Sequence, residues 1–291
     1  MTYCQSCQAR IPEAKEVDTQ HPFSVEAFLD SGEFTDFEFV VRPEDDPDVP
    51  ERKFRAHKLF LAMRNEVFYA MFYGNLAEKD QVVITDIHPD GFDILLRYLY
   101  SGKPKLKTIS DALHARFAAK KYLVPQLADA CSAYIEKNLK ADQLCSFIDY
   151  YMRSCEPDMD SVVQTLLTSS NSPAVLTSKE FNGALEDTVR YIVDNIKKVS
   201  EDSVSKAIFG WAQEQCVRSL GSDTQLELKT VVRSFFPKLR FLTMTPEEFV
   251  VGPGSWGVLE DSENLSLLRN IVKYGSQPLP EGFCNVTDDR M

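Results

Sequence analysis

The sequence contains no uninterrupted apolar stretch of the roughly 18 residues that a membrane-spanning helix needs, so no span is expected. A basic face is missing as well: 32 Lys and Arg stand against 44 Asp and Glu, a net charge of −12. The densest basic stretch, Lys103-Pro-Lys-Leu-Lys107, sets three lysines beside a turn. Neutralised phosphates supply most of the affinity for nucleic acid, so direct binding of DNA or RNA is not expected. The start, Met1-Thr-Tyr-Cys-Gln-Ser-Cys7, lacks the charged beginning and apolar core of a secretory signal. The seven cysteines are odd in number and scattered through apolar stretches, unlike a disulfide framework. A reducing compartment follows, the cytoplasm, with the nucleus left open.

The signatures of catalysis are equally scarce. No Gly-x-Ser-x-Gly is present, and no Ser or Cys stands in a recognisable setting with a His and an orienting carboxylate. Val251-Gly-Pro-Gly-Ser-Trp-Gly257 is glycine-rich but lacks the Lys-Ser/Thr ending of a phosphate loop, and its proline removes a backbone donor. It reads as a rigid loop. Cys4-x-x-Cys7 offers two thiols, yet a structural zinc takes four ligands and only His21 is near in sequence. Asp45-Asp46 and Asp288-Asp289 fall in solvated stretches where raised acidities are not expected. No enzyme, cofactor or metal is therefore expected.

The 44% apolar content suffices to fill the cores of two domains. Residues 1–21 are polar and aperiodic, which predicts a mobile segment. Phe23-Ser-Val-Glu-Ala-Phe-Leu29 predicts a short helix, and Asp36-Phe-Glu-Phe-Val-Val-Arg42 a half-buried strand with Phe37, Phe39 and Val41 on one face. A proline-rich acidic loop leads to a second strand at Lys53-Phe-Arg-Ala-His57. From Lys58 a helical run to Gly74 puts Leu59, Met63, Val67 and Met71 on one stripe, with Phe60, Phe68 and Phe72 beside it. Helical spacing of aromatics is usually core, which places Phe68 and Phe72 inside and Tyr69 and Tyr73 nearer the surface. Val82-Val-Ile-Thr85 predicts a third strand. A helix opens at Pro89, buries Phe92, Leu95, Leu96 and Leu99, and stops at Gly102. Two more follow at 109–121 and 125–139. Beyond Lys140 only helical periodicity is legible, at 141–153, 158–168, 179–196, 201–219, 224–236 and 261–274. Pro157, Ser172-Pro173 and Gly221 punctuate it. His57, at the end of the second strand, stands where it could meet Asp36, as a polar pair holding strand and helix or as part of a pocket.

Several segments in this order resemble the BTB (POZ) domain: Phe34-Thr-Asp-Phe37, Phe54-Arg-Ala-His-Lys-Leu59, Val67-Phe-Tyr-Ala-Met-Phe-Tyr73, Val82-Val-Ile-Thr-Asp86, Phe92-Asp-Ile-Leu-Leu-Arg-Tyr-Leu-Tyr-Ser-Gly102 and Lys120-Lys-Tyr-Leu-Val-Pro-Gln-Leu127. Phe209-Gly-Trp-Ala-Gln-Glu214 and Arg240-Phe-Leu-Thr-Met-Thr-Pro-Glu-Glu-Phe249 are similar to the BACK domain, the usual companion of BTB in ubiquitin-ligase adaptors. The resemblance implies an α+β BTB/POZ domain at 22–139, a small mixed sheet covered by helices. An all-α BACK-like domain at 140–275 and a tail at 276–291 would follow. Neither kelch repeats nor a β-sandwich recognition domain is legible. The implied function is a homodimeric adaptor binding the cullin-3 N-terminal domain and an unidentified substrate protein; the alternative is an oligomerisation scaffold, a transcriptional or cytoskeletal co-factor, that binds no cullin. In Gly74-Asn-Leu-Ala-Glu-Lys79, Leu76 and Glu78 fit the family's hydrophobic-x-Glu contact, which the resemblance extends to Tyr73 and Tyr122. Without the family, Leu76 reads as a loop residue and Glu78 as a solvated charge. Phe28, Asp36 and His57 are implied near the dimer and its pocket.

Overall fold

The computed structural model describes residues 25–44, 48–75, 77–154, 159–218 and 224–291. The chain separates into two compact units that divide between Ile135 and Glu136. The first is built round three strands, β1 (Phe37–Val41), β2 (Arg52–Ala56) and β3 (Gln81–Ile84), in the order β2-β1-β3. β1 runs antiparallel to β2, with Phe39 opposite Phe54, and parallel to β3, with Phe39 opposite Val82. A parallel pair needs a crossover, and α2 (Lys58–Arg64) and α3 (Glu66–Tyr73) supply it; α1 (Val25–Ser31) precedes the sheet, while α4 (Pro89–Ser101), α5 (Ile109–Lys121) and α6 (Pro125–Asn138) follow it. Phe37, Phe39 and Val41 are buried as the alternation implies, but so is Val40. β1 is the central strand, and side chains on both of its faces are covered.

An aromatic cluster fixes helices to sheet. Phe39 meets Phe68 at 5.6 Å and Phe92 at 5.0 Å, and Phe37 meets Phe72 at 4.7 Å, all near edge-to-face. Such pairs add about 0.5–1.5 kcal/mol beyond the area they bury. α4 forms as its sequence dictates: Pro89 opens it, Phe92, Leu95, Leu96 and Leu99 are buried, and Gly102 closes it at φ 68°, a left-handed conformation that glycine adopts without strain. The single helical run expected from Lys58 to Gly74 is corrected to two helices. Asn65 is extended, and its side chain accepts from the N–H groups of Val67 and Phe68, starting α3 afresh. The stripe does not run through that break. Leu61, Phe68 and Phe72 carry the core, whereas Leu59 is 63% and Met63 76% exposed.

The second unit is helical: α7 (Leu144–Ser154), α8 (Asp160–Leu167), α9 (Pro173–Leu176), α10 (Glu186–Asn195), α11 (Glu201–Arg218), α12 (Thr224–Arg233), α13 (Pro246–Val251) and α14 (Asp261–Val272). α11 packs against α9, α12 and the 3-10 turn Phe181–Gly183. That turn and the extended Leu185 delay the helix expected from 179 until Glu186. Trp211 is buried and donates its indole N–H to the Ala184 carbonyl at 2.9 Å. The glycine-rich loop tightens into a 3-10 turn, Pro253–Ser255, and Trp256 beyond it stacks on Phe209 at 4.3 Å. Residues 276–291, expected as a tail, are packed against this unit instead. Ser266 Oγ donates to the Pro278 carbonyl, Phe283 stacks on Phe236, and Arg290 enters a buried ion pair with Glu201. Among the described residues no helix is long and apolar enough to cross a membrane. Residues 1–21 with Cys4, Cys7 and His21, the Asp45-Asp46 pair, Leu76, Pro157 and Gly221 lie outside the described residues.

Candidate protein-interaction surfaces

α1, the segment before β1 and α2 enclose a groove of about 350 Å³ in the first unit, lined by Val25, Phe28, Phe34, Asp36, His57, Leu59, Phe60 and Met63. Phe28, Asp36 and His57 thus come together here, though each polar side chain has its own structural partners. Asp36 Oδ1 accepts the Lys58 N–H at 2.7 Å, capping α2 from outside the helix. The Tyr100 hydroxyl accepts the His57 backbone N–H at 3.0 Å and lies 2.7 Å from His57 Nδ1. With its proton directed to Nδ1, the ring carries its own proton on Nε2, which donates to the Glu33 carbonyl at 2.8 Å. Burial, together with the nearby Asp36 charge, pushes the Tyr100 hydroxyl up to about 12, so it stays protonated and able to donate. What the groove offers a ligand is apolar: Phe34 is 82% exposed and, with Leu59 and Met63, forms its lip. Phe34 also holds φ at 63°, an uncommon conformation for a side-chain-bearing residue.

On α3 a second face is exposed. Tyr69 and Tyr73 stand outward with ring centroids 5.9 Å apart, while Phe68 and Phe72 point into the core, as their spacing implied. Glu78 is exposed, and its backbone N–H donates to the Met71 carbonyl at 2.9 Å, turning the chain back along α3. Tyr122 requires a correction. Implied as a contact residue, it is only 2% exposed and stacks on Phe68 at 4.8 Å. Burial pushes its hydroxyl well above the usual phenol range. Tyr122 supports α3 from inside and leaves no side-chain surface for a partner. Asn65 ties the two together by donating to the Tyr122 carbonyl at 2.7 Å. The adjoining Leu123 is exposed and held at φ 54°.

Sequence reasoning passed over Asn65, Tyr100 and the outward turn of Leu59 and Met63. The first carries a local signal, since Asn is a favoured N-cap; the others depend on contacts distant in sequence. Cys131 and Cys145 are buried, and burial raises both thiols to about 12, which removes them as nucleophiles at neutral pH. Among the described residues, one group, His88, Asp90 and His114, brings three possible metal-ligating atoms together.

The mixed three-stranded sheet, its helical crossover and the helices that follow are matched over residues 25–139 by the BTB/POZ domain family. This segment is a BTB/POZ domain. BTB/POZ domain-containing protein 6 of Xenopus tropicalis is 34% identical over 234 residues, 80% of this chain and 43% of that protein. Its Homo sapiens counterpart is 34% identical over 234 residues, covering 80% and 42%. BTB/POZ domain-containing protein 3 of Homo sapiens is 32% identical over 234 residues, covering 78% and 43%. The chain thus spans a little over two fifths of the length of these relatives. The likeness is much longer than the BTB/POZ domain and extends into the helical unit.

Proposed function

We propose that this chain is a homodimeric protein-interaction adaptor that presents the α3 face of its BTB/POZ domain to the N-terminal domain of cullin-3. In this reading the helical unit is a BACK-type domain, and a substrate protein is the second partner. The observation that carries the interaction role is the apolar groove between α1 and α2, whose polar groups are paired and whose apolar lip faces water. A two-fold interface uses one patch twice, and each fully buried Leu, Met or Phe contributes about 1.5–3 kcal/mol. Light scattering at micromolar concentration should give a dimer, and Leu59→Asp with Met63→Asp a folded monomer. A monomeric native protein rejects dimerisation.

For cullin-3, the support is the exposed pair Tyr69 and Tyr73 followed by the exposed Glu78. Exposed aromatics supply area to be buried, and a neighbouring carboxylate sets orientation and partner choice. Calorimetric titration with the cullin-3 N-terminal domain tests this, beside the double change Leu76→Asp, Glu78→Ala. Tight binding lost in the folded double variant supports the adaptor reading. A well-folded dimer that binds no cullin is instead an oligomerisation scaffold.

A further inference from the structure

His88, Asp90 and His114 are brought together by the packing of α4 on α5. A ligating atom from each lies within 4.8 Å of the other two, and the imidazoles stack with centroids 3.9 Å apart. Gly91 permits this approach: a Cβ there would stand 2.3 Å from the His114 carbonyl oxygen. The two oxygens of Asp90 have different neighbours. Oδ1 lies 2.5 Å from Arg52, while Oδ2 lies 3.6 Å from His88 Nδ1. His88 Nδ1 also accepts the Asp90 N–H at 3.2 Å as the N-cap of α4, so ligation by His88 exchanges that bond for the metal.

We propose that His88, Asp90 and His114 bind one divalent cation of the zinc class, with water completing its coordination. Two imidazoles and one carboxylate suit such an ion, whereas calcium and magnesium favour oxygen donors throughout. Stacked rings must converge to share it, which takes rotation of an imidazole about its broad χ2 torsion. The positive end of α4 opposes a cation at this place, and Asp90, in that same first turn, offsets it. The ion would tie α4 to α5, and none of its ligands lines the apolar groove or lies on α3.

The test is calorimetric titration of the full chain with zinc chloride in a Cys4→Ser, Cys7→Ser background, which removes the spaced thiols as competitors. One equivalent should bind, and zinc should raise the thermal midpoint. His114→Gln and His88→Asn should each weaken binding about tenfold or more and abolish the shift. Asparagine at 88 keeps an N-cap acceptor, so circular dichroism should show α4 intact. Affinity should also fall on acidification, because a protonated imidazole cannot ligate. No binding, or native affinity surviving either substitution, overturns the site.

Discussion

Asn65 sits buried between α2 and α3, its side-chain oxygen accepting from Val67 and Phe68 and its amide donating to the Tyr122 carbonyl. Alanine there removes a helix cap and leaves a buried carbonyl without that donor, a loss of about 2–3 kcal/mol. Urea denaturation should measure it. Asn65→Asp keeps the cap acceptor but sets a buried carboxylate oxygen against the Tyr122 carbonyl, and should lose at least as much. The residue type was visible in the sequence, and an Asn within a helical run can signal a new start. Its bond to Tyr122 spans 57 positions and had no sequence signature. The same holds for His57: the sequence placed it near Asp36, whereas its ring is held by Tyr100 and Glu33.

The elements that matched their expected bounds carry local signals at both ends. α4 has Pro89 and Gly102, and α5 opens on a reciprocal capping box between Thr108 and Asp111. α13 was missed because six residues are too few to show a period, although Thr245 and Glu248 cap it in the same way. Leu59 and Met63 show a different limit. Helical period identifies a common face, but it cannot say whether that face meets the core or a partner. In α2 the face of Leu59 and Met63 lines the groove, which their shared stripe alone did not reveal. The contact of α4 with α5 yields a further prediction. Gly91→Ala would place a Cβ 2.3 Å from the His114 carbonyl and force the helices apart. Overpacking of this kind costs about 1–3 kcal/mol, which a lowered thermal midpoint should reveal.

At the scale of the whole molecule, both tryptophans, Trp211 and Trp256, belong to the second unit, so their fluorescence reports its unfolding specifically. Two consequences can be read with that probe. Arg233, bonded to Glu263 at 2.7 Å, holds this carboxyl below its usual range. A lowered folded value stabilises the unit above the unfolded glutamate value, about pH 4.3, and the gain is lost as pH falls through the folded value. The tryptophan transition should weaken on acidification, and Glu263→Gln should flatten that dependence. The second consequence concerns residues 276–291, whose anchorage the sequence concealed because Arg290 meets a partner 89 positions away. Arg290 Nε lies 2.8 Å from Glu201 Oε2, its other nitrogens donate to the Val193 and Lys238 carbonyls, and both side chains of the pair are buried. Arg290→Ala would leave the Glu201 carboxylate in the interior with its bond from the Arg240 N–H but without its counter-charge. Breaking a buried pair in this way costs about 3–5 kcal/mol. The tryptophan transition should shift to lower urea, with the unfolding free energy reduced by about that amount. Removing both charges, Arg290→Met with Glu201→Gln, should recover much of the loss, because the desolvation of two ions disappears with them. A shift below about 1 kcal/mol for Arg290→Ala would mean that the C-terminal segment rests on the unit without holding it together.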